Sequence, residues 1–402
     1  MYQDEIPALV LDNGSCFSRA GFAGDEAPRF IIPSLLGTRK KTLSKQPLNP
    51  PTDIYIGDEA SSQKQLLDLH RPIQRGHITN WDHMEQFWHY QFHHVLKTSP
   101  EHPAVLLSDC ITSTAATTGK NTERERTSQV MFEKFSVQSL CIASSACLSM
   151  FGGGRGSGVV LECGYEVSHA VPMFEGVIAK PLPTSSSTTT IRTLEIGGLH
   201  LDQYLLKLLR LKLEETNMLH SSSMQLLPEL VMSMKEELAR VTYLQGGESS
   251  LKSEKKPIFE LPDGNTIEIE KERYECVEPL FNPKLLGGEY CDNTSEVGGI
   301  QDMLFNSITS TNYEERYYYY RHILLSGGTT LLPGFAERIK EEIRESAPSA
   351  FSIHVSAYPE RKLLSWIGGS VLASMSVFND KSVSKSEFEE EGPRVTQRKF
   401  TN

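Results

Sequence analysis

One stretch of this chain occurs twice, and the repeat limits what the chain can fold into. Residues 9–30 open with Leu9, Val10 and Leu11, an apolar run that reads as a buried strand. Asp12, Asn13, Gly14 and Ser15 then turn the chain, and Cys16 to Phe22 reads as the returning strand. An Asn-Gly step between two such runs signals a hairpin, because both residues tolerate positive φ. At 159–169 the same grammar returns: apolar strand, acidic residue, small residue, glycine, second strand. Glu162 and Gly164 stand where Asp12 and Gly14 stand. Two copies about 150 residues apart predict two domains of one design that face each other. A lone hairpin of this kind reads first as an ordinary turn with a polar tip. A tight tip also presents several backbone N–H groups together, which makes an anion-binding concavity. Asp12, at the strand end, could hold a divalent cation directly or through water, since hard cations take oxygen ligands. Paired tips across a cleft point to phosphate more specifically than either alone.

Length and charge narrow the class. A chain of 402 residues predicts two or three core-bearing units. A formal net charge of −11 argues against broad attraction to nucleic acid or to an anionic membrane. No apolar run approaches the roughly 20 residues that span a bilayer, and the first residues show no signal peptide. The seven cysteines (16, 110, 141, 147, 163, 276 and 291) are scattered, without a C-x-x-C. That usage fits reduced thiols of the cytosol or nucleus, not a disulfide or zinc framework.

Periodicity supplies the remaining elements. Met84, Phe87, Trp88, Phe92 and Val95 recur at helical spacing over 81–96. His89 and His93 lie four apart there and could share a face as metal ligands, but no carboxylate or cysteine pattern completes a site. Exposed histidines over an aromatic core stripe are the simpler account. Pro103 to Leu107 reads as a strand, Ser108–Thr122 as a surface insertion, and Glu123 to Phe135 as helix. The glycine-rich run 151–158 lacks the lysine of a phosphate loop and reads as a domain joint. Helices are expected at Leu199–Leu213 and Leu230–Leu244, and a hairpin at Phe259–Ile269. Residues 33–65, 184–190 and 287–299 read as loops. Ile323 to Thr330 is a strand ending in a Gly-Gly turn, where glycine lets backbone approach a ligand. The helix from Phe335 to Glu345 adds a positive dipole end nearby. A final apolar helix runs from Trp366 to about Phe378, and the charged tail 381–402 is expected on the surface.

In this order the pieces resemble the actin family. The matching segments are Leu-Asp-Asn-Gly-Ser with Ala-Gly-Phe-Ala-Gly-Asp at 11–25, Tyr-Ile-Gly-Asp-Glu-Ala at 55–60 and Thr-Asn-Trp-Asp at 79–82. Leu-Pro-Asp-Gly at 261–264, Phe-Asn-Ser-Ile at 305–308 and Leu-Ser-Gly-Gly-Thr-Thr at 325–330 follow. Pro-Glu-Arg-Lys at 359–362 and Trp-Ile-Gly-Gly-Ser at 366–370 complete the set. The resemblance implies an α/β actin-like fold, two ribonuclease-H-like domains around a nucleotide cleft, each with a small subdomain. The outer domain would take 1–152 and 363–402, with its subdomain at about 34–76. The inner domain would take 153–362, with its subdomain at about 197–297. ATP or ADP with magnesium would occupy the cleft. By the same resemblance Asp12 is the cation-associated aspartate, and Gly14, Ser15 and Gly164 form the phosphate hairpins. Arg19 replaces a phosphate-binding lysine, whose point charge a planar guanidinium does not reproduce. Lys235 and Glu236 would flank the adenosine, Gly327, Gly328 and Thr329 would cradle the nucleotide, and Lys362 would lie by the adenine.

The departures bear on activity. Where the family has a glutamine that positions the attacking water, this chain has Ser145. A second-hairpin aspartate that organises the cation's water shell is Glu162, an uncertain metal contact. Tyr165 and Glu166 replace that hairpin's next aspartate and glycine, and Arg75 replaces the family's modified histidine. Hydrolysis needs an oriented water and a neutralised phosphate, so ATPase activity is expected to be weak or absent and the chain not to act as an enzyme. Filament contacts also differ. The stretch 38–53 is basic and proline-rich, 285–300 is longer than in actins, 108–122 and 184–190 are insertions, and the terminal cysteine is lacking. The expected role is therefore an actin-related structural subunit of a larger cytoskeletal assembly in the cytoplasm, an axonemal one being conceivable. Its partners would be other protein subunits, actin or another actin-like chain among them, with no direct nucleic acid and no membrane. Competing readings are a nuclear subunit of a chromatin-remodelling complex and an active ATP-hydrolysing filament protein.

Overall fold

The computed structural model describes residues 6–40, 54–110, 119–183, 189–215, 228–242, 257–260, 264, 266–287 and 298–400. From the N-terminus, β1 (Leu9–Asn13), β2 (Phe17–Phe22) and β3 (Phe30–Pro33) form a meander. A small sheet follows from β4 (Leu36–Arg39), β5 (Ile54–Ile56) and β6 (Leu67–His70), then a ribbon of β7 (Ile73–Gln74) and β8 (His77–Ile78). The strands β9 (Val105–Asp109) and β10 (Ser139–Ser144) return beside β1, in parallel.

The second half repeats the plan with β11 (Gly158–Cys163), β12 (Ser168–Phe174), β13 (Val177–Ile178) and β14 (Arg192–Leu194). A separate hairpin, β15 (Ile258–Glu260) with β16 (Thr266–Glu268), precedes β17 (Ile323–Ser326) and β18 (Val355–Ser356). Finally β19 (Val383–Ser384) pairs with β10.

Strand order is β19-β10-β9-β1-β2-β3 in one sheet and β13-β12-β11-β17-β18 in the other, with β14 on β12. Each sheet thus has a central strand, an antiparallel hairpin partner on one side and two parallel strands on the other. Register repeats too, with Asp12 opposite Arg19 and Glu162 opposite His169. The repeat seen in the sequence is therefore a repeat of topology. The central strands are buried on both faces from Leu9 to Leu11 and from Val159 to Leu161, as a parallel-sheet core requires.

Between the sheets cross two helices, Ser145–Gly152 and Leu364–Ala373, and the first touches strands of both sheets. Their backbones meet at glycine: a Cβ on Gly368 would stand 1.7 Å from the Leu148 carbonyl oxygen. The helix Trp81–Tyr90 is capped by Asn80, whose side chain accepts from the His83 N–H, and passes into a wide turn over Gln91–Val95. Met84, Phe87, Trp88, Phe92 and Val95 are buried there, while His89, His93 and His94 are not. Among the described residues no cluster of three or more His, Cys, Asp or Glu is arranged to hold a metal ion.

Several expectations are corrected. The first hairpin forms, but neither Asn13 nor Gly14 has positive φ; four residues separate the last paired positions, so the tip is wider than a two-residue turn. The tail does not lie on the surface. It supplies β19, and Val383, Phe388, Val395 and Phe400 are buried, because its few apolar groups repeat at spacings that the charged residues mask. Residues 33–65 are not a single loop, since β4, β5 and the helix Asp58–Ser62 lie within them. The helix at 230–244 is Pro228–Leu238. Ser108 and Asp109 end β9, Cys110 follows it at the cavity wall, and helix begins at Gly119. Most of the loop expectations, and much of the filament-contact stretch, fall on 41–53, 111–118, 184–188 and 288–297, outside the described residues.

Candidate functional site

The two hairpin tips open into one cavity of about 440 Å³ between the sheets, a size typical of small-ligand sites. Asp12, Gly14, Ser15 and Arg19 line it from one side and Glu162 and Gly164 from the other. Lys235, Glu236, Gly327, Gly328, Thr329 and Lys362 line it as well, so the structure brings every expected contact residue to one place. Ser145 and Tyr165 are there too.

Both tips close in the same way. The Gly14 N–H donates to the Phe17 carbonyl at 3.1 Å, and the Gly164 N–H to that of Val167 at 2.9 Å. A Cβ on Gly14 would stand 2.9 Å from the Phe17 oxygen. Glycine is needed for room, not for φ. The carbonyls of the second tip are taken up by neighbours. Gly164 O accepts from the Gly198 N–H and from Thr329 Oγ1 (2.8 Å), and Tyr165 O from the Leu199 N–H. Gly327, at φ 88°, brings the third turn so close that a Cβ would meet Cys163 O at 2.3 Å.

The carboxylates are more constrained than the sequence suggested. Asp12 Oδ2 is ion-paired with Arg19 Nη1 at 2.8 Å, and both side chains are largely buried. Its Oδ1 accepts from Ser108 Oγ and from Ser365 Oγ. Glu162 accepts from Ser145 Oγ at 2.8 Å. Desolvation by the surrounding protein raises the Glu162 carboxyl to about 7, partly opposed by that hydroxyl. Lys235 is paired with Asp202 at 2.8 Å and donates to Gly198 O. Burial pushes Asp202 up to about 6, against the pull of Lys235. Lys362 Nζ lies 5.5 Å from the centre of the Phe17 ring.

Sequence reasoning missed several neighbours. Ser108 follows an apolar strand just as Asp12 does, and that parallel could have found it. His169 faces Glu162 in register, and its Nε2 meets Cys110 Sγ at 2.9 Å. Asp202 and Arg71 carried no local signal, because their roles depend on distant partners; Arg75 was singled out as a departure, but not its contacts. Arg71 Nη1 donates to Ser15 O at 2.7 Å, and its guanidinium covers the Tyr165 ring at 5.0 Å. The Arg75 N–H donates to Glu166 Oε2, and Arg75 Nη1 meets Glu195 Oε2 at 3.0 Å. Lys64 Nζ reaches Glu229 Oε2 at 2.7 Å. Apart from the bond to Ser15, these contacts tie the lobe carrying residues 64–76 to the opposite half of the molecule. Tyr165, Glu166 and Arg75, three of the departures, are among the groups that make them.

A family model described as actin matches residues 3–401. The chain belongs to the actin family. Its α/β fold of two like sheets about a cleft is that of the family. Actin-family proteins generally bind a nucleotide with magnesium, and the residues of this cleft suit the two unequally. Three glycine turns, the Arg19 and Lys362 cations and the cavity's size fit a nucleoside polyphosphate. Arg19 Nε is buried without an acceptor among the described residues, and an oxyanion would supply one. A divalent cation fits poorly: Asp12 is already neutralised by Arg19, and Glu162 is shared with Ser145 and carries a raised pKa.

Proposed function

We propose that this actin-related chain is a structural subunit whose cleft holds ATP or ADP with little or no hydrolysis. One observation carries the reading. Ser145, in the place where the family resemblance puts a water-positioning glutamine, spends its hydroxyl on Glu162 at 2.8 Å. Phosphoryl transfer to water needs that water held in line and the charge on the phosphates neutralised. Here the side chain that would orient it is short and engaged, and Tyr165 stands beside the second tip in place of a carboxylate. The groups lining the cleft are read as binding and positioning the nucleotide. The contacts of Arg71, Arg75 and Lys64 across the cleft support a closed resting form.

The test is phosphate release from ATP by the full-length chain, beside the double variant Ser145→Gln with Glu162→Asp. The wild type is expected to release phosphate no faster than buffer, and the variant to release it faster. Turnover by the wild type would overturn the reading. The role in a larger cytoskeletal assembly of the cytoplasm, beside other actin-like or unrelated subunits, rests on the family. Co-purification and imaging of the tagged chain test it, and recovery with chromatin-bound proteins in the nucleus would refute that placement.

A further inference from the structure

Magnesium keeps several waters and takes phosphate oxygens, so the protein's share is a carboxylate that binds it directly or accepts from its waters. Both oxygens of Asp12 are taken, one by the Arg19 guanidinium and one by two serine hydroxyls. The ion pair is built into the fold, because Asp12 and Arg19 face each other in the register of β1 and β2. It is sheltered as well, with side-chain exposures of 13% for Arg19 and 9% for Asp12. A divalent ion at Asp12 would have to break this pair and stand beside a permanent positive charge.

We propose that the cleft binds the polyphosphate of its nucleotide without a divalent cation, the Arg19 guanidinium supplying the charge that the cation would bring. The inference rests on the reading of the cleft as a nucleotide site. Arg19 Nη1 lies 3.9 Å from where a Cβ on Gly14 would be, so the guanidinium sits against the first tip. Nη1 serves Asp12, and the buried Nε has no acceptor among the described residues. A guanidinium offers five donors in a planar fork that matches phosphate oxygens. A polyphosphate oxygen beside Gly14 and Ser15 supplies the acceptor that Nε lacks, while Asp12 holds the fork in place. The second tip shows a different pairing. Opposite Glu162 stands His169, turned to Cys110 and Thr193. The charge is thus concentrated on the first hairpin.

The experiment is a calorimetric titration of the full chain with ATP, in excess magnesium and in excess EDTA, for wild type, Arg19→Ala and Arg19→Lys. Wild-type affinities in the two buffers are expected to agree within about threefold. Arg19→Ala is expected to bind at least about tenfold more weakly in EDTA and to recover part of the loss in magnesium. Arg19→Lys, which keeps the charge but not the fork, is expected to fall between them; it carries the test if the alanine variant does not fold. Wild-type binding that drops tenfold or more in EDTA would overturn metal independence and leave the nucleotide reading standing. Unchanged EDTA binding by both variants would overturn the assignment to Arg19. No binding in either buffer would refute the nucleotide reading itself.

Discussion

Glu162 is the residue at which environment most changes chemistry. Its neighbours desolvate the carboxyl and raise it to about 7. A carboxyl raised on folding favours the protonated native state, so its contribution is full below its ordinary value near 4.5 and is lost as pH climbs through about 7. Glu162→Gln removes that dependence. The variant should gain stability over the wild type between pH 5.5 and pH 8, by up to about 2 kcal/mol. Urea denaturation at the two pH values reads the gap, and an equal gap at both would contradict the burial argument. At this scale the sequence revealed residue types but not pairings. Asp12, Gly14 and Arg19 were legible from the hairpin and the family resemblance. That Arg19 would pair with Asp12 was not, because it follows from a tip at Gly14 to Phe17 setting the register, where the turn was expected at Asp12 to Ser15.

Elements were legible where their pattern was strong. Leu9–Leu11, Val159–Leu161 and the stripe from Met84 to Val95 announce strands and a helix by burial and period. The tail hid its role, because charged residues surround Val383, Phe388, Val395 and Phe400. Phe388 stacks on Phe132 with ring centres 4.5 Å apart, so Phe388→Ala should cost about 3 kcal/mol or more. A loss below about 1 kcal/mol in denaturant titration would return the tail to the surface. The helices Ser145–Gly152 and Leu364–Ala373 make a sharper case. A methyl on Gly368 would meet the Leu148 oxygen at 1.7 Å, a backbone contact that no rotamer relieves. Gly368→Ala should force the pair apart and cost at least about 3 kcal/mol. A variant of wild-type stability would show that the crossing is looser than this packing implies.

At the scale of the molecule, the two halves face each other across a cleft bridged by side chains. Lys64 to Glu229, Arg75 to Glu166 and Glu195, and Arg71 to Ser15 and Tyr165 are all contacts of one lobe. Exposed ion pairs contribute little singly, whereas several acting across one hinge shift an open–closed balance together. The combination Lys64→Ala, Arg71→Ala and Arg75→Ala should enlarge the radius of gyration in small-angle scattering without lowering helical content. An unchanged radius would show that packing at the Gly368 crossing alone sets closure. The repeated hairpin in the sequence foretold the paired domains; it gave no sign of these ties, which join residues 56 to 165 positions apart. The account as a whole turns on whether nucleotide is kept and not consumed. The protein should be loaded with ATP, freed of excess, incubated for a day, denatured, and its nucleotide separated by chromatography. Recovery of intact ATP in stoichiometric amount is the expected result; ADP in its place, or no nucleotide, would contradict it.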